Sequence, residues 1–539
     1  MLWTIISFLV IIISIWFYSY RQSKKVNITT SEGFFMGGRS LGAFNVAGAI
    51  ILTNLSTDQM VGENGQSYQV GMQVMAWEVA ATIGIVALAL IFLPKYLKFG
   101  IDTIPDFLEI RYDATIKRIM SLLFMFTYIA SFLPVLLYSG SLVFNQIFHV
   151  DQIFHTTQLV AVVALCIIIG LVAIAYLLMG GLSLTAHSDT IYSIGFLLIG
   201  ILVPVLGLIY LGHGNFIVGV SQVVYHSPVA GMLNSLGPVN SKFVPWPVLF
   251  SGMLVNNLYF WCTNQMIVQK ALAAKSLQAA QKGTMILGTY KIFAVLFLII
   301  PGVIARNIFG DKFLGIPDNC YPALLVKVLP SALTGVYGAV ILGSILSSFS
   351  GALNSLVTLF SLDVYKGWLN KKATDTNVAK VGKIATVSAG IICIAIAPFI
   401  TYAPAGLYQF IQQFNGLYDV PLLVIILFAF WSKKATALSA KIIIPIHIIL
   451  YCIAIFSFPK VNFLYFTGIL FVLEVIAMWF LPKFQHKSDF VMTNYDTKVD
   501  ITPWKHARLV GILCIVAVVM VYVFFSPLGI GTHPAPSGW

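Results

Sequence analysis

Hydrophobic positions along this chain come in blocks. Fourteen stretches of about 20 or more mostly apolar residues fall near 1–20, 42–70, 73–98, 119–147, 157–179, 189–212, 247–269, 284–308, 331–361, 383–400, 406–431, 436–457, 462–481 and 507–527. Each can cross roughly 30 Å of hydrocarbon as a helix. The pattern therefore predicts an all-α integral membrane protein with about 14 transmembrane helices.

Two of these blocks are poorer helices than the rest. The first, 42–70, follows a short apolar stretch with Asn54, Ser56, Thr57, Asp58, Gln59, Glu63, Asn64 and Gln66; the second, 247–269, is interrupted by Asn256, Asn257, Thr263, Asn264 and Gln265. Polar density at membrane depth costs several kcal/mol against lipid, and broken backbone is tolerated there only where it is buried or lines a cavity. The alternative for 58–70 is a long outer loop. The two segments lie five spans apart. If spans two to six form one repeat and seven to eleven the next, the odd number of spans inverts the second copy relative to the first, the arrangement in which solute and ions bind near the midplane between half-helices. That divides the chain into an extra N-terminal helix and linker (1–41), a first repeat (42–212), a loop (213–246), a second repeat (247–431) and three C-terminal helices (432–539).

Ionisable residues inside spans are functional candidates by default. They are Glu78, Asp189, Lys291, Asp419 and Glu474. Lys291 is the one cation placed centrally in a span and needs a carboxylate, a carbonyl or a ligand hydroxyl as partner. Glu474 reads as structural and Asp419 as undecided. In span nine, Ser344, Ser347 and Ser348 share one helical face. Serine hydroxyls and helix carbonyls suit an alkali cation; close helix packing is the competing explanation for such small residues. None of the nine histidines is assigned a proton-relay role.

Charge changes the picture through its placement. The net charge of +12 suggests an acidic partner until the 31 basic residues are located: 25 fall in odd-numbered connections, five in even ones, and Lys291 lies within a span. By the positive-inside rule the odd loops are cytoplasmic, so both termini are extracytoplasmic in a plasma or inner cell membrane. The excess is topology, and no nucleic acid partner is implied. With 59% hydrophobic and 9% charged residues the composition excludes a soluble enzyme. No phosphate-binding loop, zinc-protease or nucleophile-elbow motif occurs, so neither nucleotide-driven pumping nor catalysis is expected and there are no catalytic residues to name.

Several stretches, taken together, carry a resemblance. They include GFFMGGRSLGAF, TNLSTDQMVGENGQSYQVGM, TIPDFLEIRYD, YLLMGGLSLTAHSD, NNLYFWCTNQMIVQKALAAKS, LGTYKIFAVLFLIIPG, SILSSFSGALNSLVTLFSLDVY and LYQFIQQFNGLYDVP. In this order, over most of residues 30–430, the chain resembles the sodium:solute symporters, and within them the sodium/galactose and sodium/glucose transporters. The resemblance implies a five-plus-five inverted-repeat, leucine-transporter-like core with one helix before it and three after. It places a sugar on Gln59, Glu78, Asn257, Lys291 and Gln412, between gates at Tyr138, Tyr408 and Trp77 and an inner gate at Phe260. It places a sodium ion at the carbonyls of Leu52 and Leu55 with Ser344, Ser347 and Ser348, and Asp189 adjacent. Phe260 and Trp77 stand where sugar transporters have tyrosine, Ala81 where they have serine, and Glu63 where they have methionine. The expected activity is sodium-coupled symport of a monosaccharide by alternating access. Alternatives are a sodium or proton symporter of another solute such as inositol or sialic acid, an uncoupled sugar pore, and a sugar sensor.

Overall fold

The computed structural model describes residues 2–402, 407–484, 490 and 497–538, and the backbone alone at 2–5, 58, 331–332 and 407–410. Among the described residues there are helices and isolated bridges but no strand. Eight of these helices are long and apolar enough to cross a membrane, and a pair bent by 44°, Leu277–Phe293 with Val295–Phe309, makes a ninth candidate. The expected fourteen spans are more numerous than these continuous helices because several are broken or run together.

The two interrupted blocks break as the polar residues suggested. Ala43–Asn54 ends at Leu55 (φ −80°, ψ 85°), Ser56 is extended, and Thr57–Val70 resumes the path. Gly252–Thr263 likewise ends at Asn264 (φ −69°, ψ 125°) before Gln265–Leu272. At the second break an asparagine favours this geometry because its side chain replaces a hydrogen bond that a helix start leaves unmade. Asn264 does so directly, its Oδ1 accepting from the Met266 amide at 3.0 Å.

Residues 57–70 form a buried helix, so the outer-loop alternative fails. Much of its polarity joins helices together. Asn64 Oδ1 accepts from the Gly302 amide at 2.8 Å, and Ser67 Oγ donates to the Ile299 carbonyl at 2.8 Å. Those backbone groups lie at the turn around Pro301, which has no N–H of its own to offer.

Expected spans five and six run together as Gln158–Leu211, 54 residues. A straight helix of that length would extend about 81 Å, far beyond the bilayer. Gly181 interrupts it, at φ 56° and ψ −151°, and a Cβ there would meet the Phe34 carbonyl oxygen at 2.5 Å. This backbone region is essentially reserved for glycine, with strain of about 1–3 kcal/mol for other residues. Gly181→Ala should therefore lower the thermal unfolding midpoint of the purified protein by several degrees. Gly315→Ala, where the added methyl meets nothing within 4 Å, should leave it unchanged; equal midpoints for the two variants would refute this account of the break.

Connections that share a charge class also share a side of the bundle. Arg39 bonds Asp102 at 2.5 Å and the Leu272 carbonyl at 2.9 Å, Lys498 bonds Asp102 at 3.0 Å, and Lys441 bonds Asp113 at 2.5 Å. Those residues all belong to the basic set of connections and the helix ends beside them. Asn234 bonds the His533 carbonyl at 2.8 Å, Lys242 N bonds the Ser537 carbonyl at 3.0 Å, and Asn462 bonds the Phe243 carbonyl at 2.8 Å. Those belong to the other set. The broken helices lie between the two ends, buried by their neighbours.

Candidate substrate and ion site

The first helix break, the Gly252–Thr263 helix, the Leu277–Phe293 helix and the Leu407–Asn415 helix converge on one cavity. Gln59, Trp77, Glu78, Asn257, Phe260, Lys291 and Gln412 all line it. Five segments far apart in sequence thus deliver seven of the expected residues to one place.

Its centre is charged but balanced. Lys291 Nζ lies 2.8 and 2.6 Å from the two oxygens of Glu78, and Gln59 Nε2 donates to Glu78 Oε1 at 3.2 Å. Lys291 is fully buried and Glu78 nearly so. Removing one partner of such a pair costs about 3–5 kcal/mol, because the other charge is left in a low-dielectric site. The Lys291 ammonium also stands 5.3 Å from the centroid of the Trp261 ring. Asn257 turns its Nδ2 back to the Met253 carbonyl at 3.1 Å.

Around this core sit acceptors that still need donors. Gln59 Oε1, Asn256 Oδ1 and Asn54 Oδ1 belong to cavity-lining residues and have no hydrogen-bond partner among the described residues. Buried acceptors without donors are costly, so this cavity suits a ligand rich in O–H groups. Aromatic faces complete the walls: Phe260 meets Trp261 edge to face at 5.2 Å, and Trp77 stacks on Phe463 at 6.5 Å.

The gates are placed less uniformly. Tyr138 does not line the cavity; its hydroxyl donates to Thr401 at 3.3 Å, and its ring packs against the cluster of Val135, Ile400 and Ile411, of which Ile411 lines the cavity. The side chain of Tyr408 lies outside the described residues.

The expected ion ligands divide into two adjoining groups. Ser344 Oγ donates to the Leu55 carbonyl at 3.0 Å and Ser348 Oγ to the Leu52 carbonyl at 2.6 Å. Four oxygens are thereby gathered where the first broken helix frees its carbonyls. All are hard donors, so the set fits sodium. Ser347 instead lies towards Asp189.

Asp189 is committed elsewhere on one oxygen. Its Oδ2 pairs with Lys270 Nζ at 3.4 Å, while Oδ1 has no partner among the described residues. Lys270, one of the 25 basic residues counted to the odd-numbered connections, lies instead in the Gln265–Leu272 helix. Lys270 is buried, donating to the Ala49 carbonyl at 2.9 Å and to Thr53 Oγ1. Gly351 leaves it room, since a Cβ there would come within 2.9 Å of Nζ. A cation thus already lies one helical turn from the serine-capped carbonyls. The sequence offered little warning, because Lys270 stands beside Lys275 and Lys282 in an otherwise ordinary basic stretch. Trp261 and Asn54 were also missed as cavity residues, hidden within apolar or already polar runs.

The model of the sodium:solute symporter family matches residues 34–443. An uncharacterized symporter, YidK of Escherichia coli, is 38% identical over 94% of this chain and 88% of its own length. The sodium/glucose cotransporter of Vibrio parahaemolyticus is 30% identical over 85% of this chain and 86% of its own length. Among solved structures, a sodium-coupled sialic acid symporter in a substrate-bound outward-open state shares the fold. Its TM-score is 0.76 at 19% identity, covering 91% of this chain and 99% of its own.

Proposed function

The chain belongs to the sodium:solute symporter family, and we propose that within it the protein carries a neutral monosaccharide or a similar polyol together with sodium. One observation carries the choice of cargo. Gln59, Glu78 and Lys291 form a single hydrogen-bonded group, and its two charges cancel within the cavity. An anionic solute would need an uncompensated cation there. Lys291 is held by both oxygens of Glu78, and Lys270 by Asp189. A neutral polyol needs only donors and acceptors, which Gln59, Asn257, Gln412 and the unfilled acceptors beside them provide.

In this reading sodium binds at the carbonyls of Leu52 and Leu55 with the hydroxyls of Ser344 and Ser348. Ser347 and Asp189 lie behind them. The ion ties the broken first core helix to the serine helix, and that favours the form in which sugar binds. Its release inward loosens the contact and frees the gate at Phe260, while Trp77, Tyr138 and Tyr408 close the outer side. The chain crosses the membrane fourteen times, with two inverted five-helix repeats at 42–212 and 247–431 and both termini extracytoplasmic. The segregation of the basic connections supports this topology.

Uptake of labelled galactose into proteoliposomes tests the proposal. An inward sodium gradient should drive accumulation and a potassium gradient should not. Glucose and inositol should compete, and sialic acid should not. Sodium-independent equilibration would favour an uncoupled pore, and stronger competition by sialic acid than by galactose would overturn the neutral-cargo reading.

A further inference from the structure

Outside the solute and ion sites lies a second buried ionisable group. His447, on Ala437–Ser457, places Nδ1 2.5 Å from Glu474 Oε1 on Phe463–Phe480, and Nε2 2.8 Å from the carbonyl of Gly416. Asp419, which begins the next helix after Gly416, lies within electrostatic reach of both. All three side chains are buried. Glu474 Oε2 and Asp419 Oδ2 have no hydrogen-bond partner among the described residues.

Counting protons makes this arrangement informative. Nε2 and the Gly416 oxygen can approach to 2.8 Å only if Nε2 carries a hydrogen, since the carbonyl has none. The 2.5 Å contact between Nδ1 and Oε1 needs a second hydrogen, on one atom or the other. A neutral imidazole has one N–H and a carboxylate has no proton to give. Both contacts therefore require one proton more than neutral histidine plus carboxylate contain. Lose that proton to water, and two acceptors face each other at one of the contacts.

The Gly416 contact connects the pair to the solute cavity. Gly416 closes the Leu407–Asn415 helix, which carries Gln412, and joins it to Asp419–Trp431. Tyr451, stacked on His447 at 5.7 Å, adds a second tie by donating to the Gln413 carbonyl at 3.1 Å. A Cβ at 416 would meet the Tyr451 hydroxyl at 2.1 Å, so any larger residue there would displace that tyrosine.

We propose that His447, Glu474 and Asp419 form a proton-binding site whose occupancy holds or frees the helix bearing Gln412. The link to solute affinity rests on the reading of Gln412 as a sugar ligand; the proton site itself does not. The other titratable groups facing the cluster are Tyr451 on the histidine's own helix, with Cys452 beside it, Tyr418 next to Asp419, and Tyr259 on the Gly252–Thr263 helix. The nearest charged pair on the histidine's helix, Lys441 with Asp113, is six residues and about 9 Å along the axis. The cleft beside His447 and Glu474 is otherwise lined by aliphatic residues such as Ile443 and Leu470, which offer no replacement partner.

Two variants should fix the site in opposite states. Glu474→Gln can donate its amide to Nδ1 without exchanging a proton, so His447 keeps its tie to Gly416 at every pH. His447→Phe removes the tie at every pH. In wild type the KM for sodium-driven galactose uptake should change at least about fivefold between about pH 5 and pH 9, a modest coupling between sites. E474Q should hold the low-pH value throughout and H447F the high-pH value. Infrared titration of the purified protein should show a carboxyl or carboxylate band that changes with pH and is absent from E474Q. A flat wild-type profile, or an E474Q profile that follows wild type, would overturn the proposal. If galactose is not carried, the sugar reading fails while the infrared titration still decides the proton site: no pH-dependent carboxyl difference between wild type and E474Q would overturn it.

Discussion

Glu78→Gln should reduce sodium-driven sugar uptake by at least about a hundredfold. Glu78 accepts from Lys291 on both oxygens and from Gln59 on one. The amide keeps the shape and removes the charge, so the fully buried ammonium of Lys291 loses its counter-ion. At about 3–5 kcal/mol for a buried charge left alone, and 1.4 kcal/mol per decade, a hundredfold is the low end. Loss of uptake alone does not separate a solute ligand from a structural ion pair. The double variant Glu78→Gln with Lys291→Met does separate them. It leaves no unpaired charge, and replacing both partners of a buried pair is often neutral for folding. The single variant should therefore lower the thermal unfolding midpoint, and the double should recover it without recovering uptake. If the double variant transports sugar near the wild-type rate, the pair only holds helices together and the cargo binds elsewhere.

The parts of this site that were legible in the sequence are those where composition contradicts its surroundings. Asn54 and Ser56, and later Asn264, are polar residues inside apolar blocks, and the helices break beside them. Lys291 is a cation in the middle of a span, and the structure supplies the carboxylate that it demanded. Residues whose role depends on packing were not legible. Lys270 reads as one more basic residue at a helix end until the fold brings its ammonium against the Ala49 carbonyl beneath Gly351. His447 and Glu474 are 27 residues apart on separate helices and carry no motif. Tyr138 shows a third reason. A π turn at Tyr128–Phe132 precedes it in the same span, and such a turn inserts a residue and rotates the face of all that follows. Phe132 reaches the cavity, while Tyr138 packs against Val135, Ile400 and Ile411.

Ser348→Ala should raise the sodium concentration for half-maximal uptake by about tenfold or more, with little change in the amount of folded protein. The hydroxyl donates to the Leu52 carbonyl at 2.6 Å, so alanine removes an oxygen at the point where the broken helix exposes its own. Ser344→Ala, facing Leu55 at 3.0 Å, should act in the same direction. Asp189→Asn should also raise the sodium requirement without abolishing sugar binding, though by a different route. It leaves Lys270 without its carboxylate, and the freed ammonium remains beside the Ala49 carbonyl as a fixed positive charge one turn from the ion. Raising ionic strength with a salt that lacks sodium should not rescue this effect, because a buried charge is poorly screened. The consequence for transport follows from the driving force. One sodium moving down about 100 mV releases roughly 2.3 kcal/mol, and a tenfold gradient adds about 1.4 kcal/mol. Together these support accumulation of several hundred-fold, provided that sugar moves only with the ion. A variant that binds sodium tenfold more weakly should therefore lose concentrative uptake at low sodium and regain it when sodium is raised in proportion. Unchanged sodium dependence in both Ser348→Ala and Asp189→Asn would mean that the coupling ion is held elsewhere than at the first helix break.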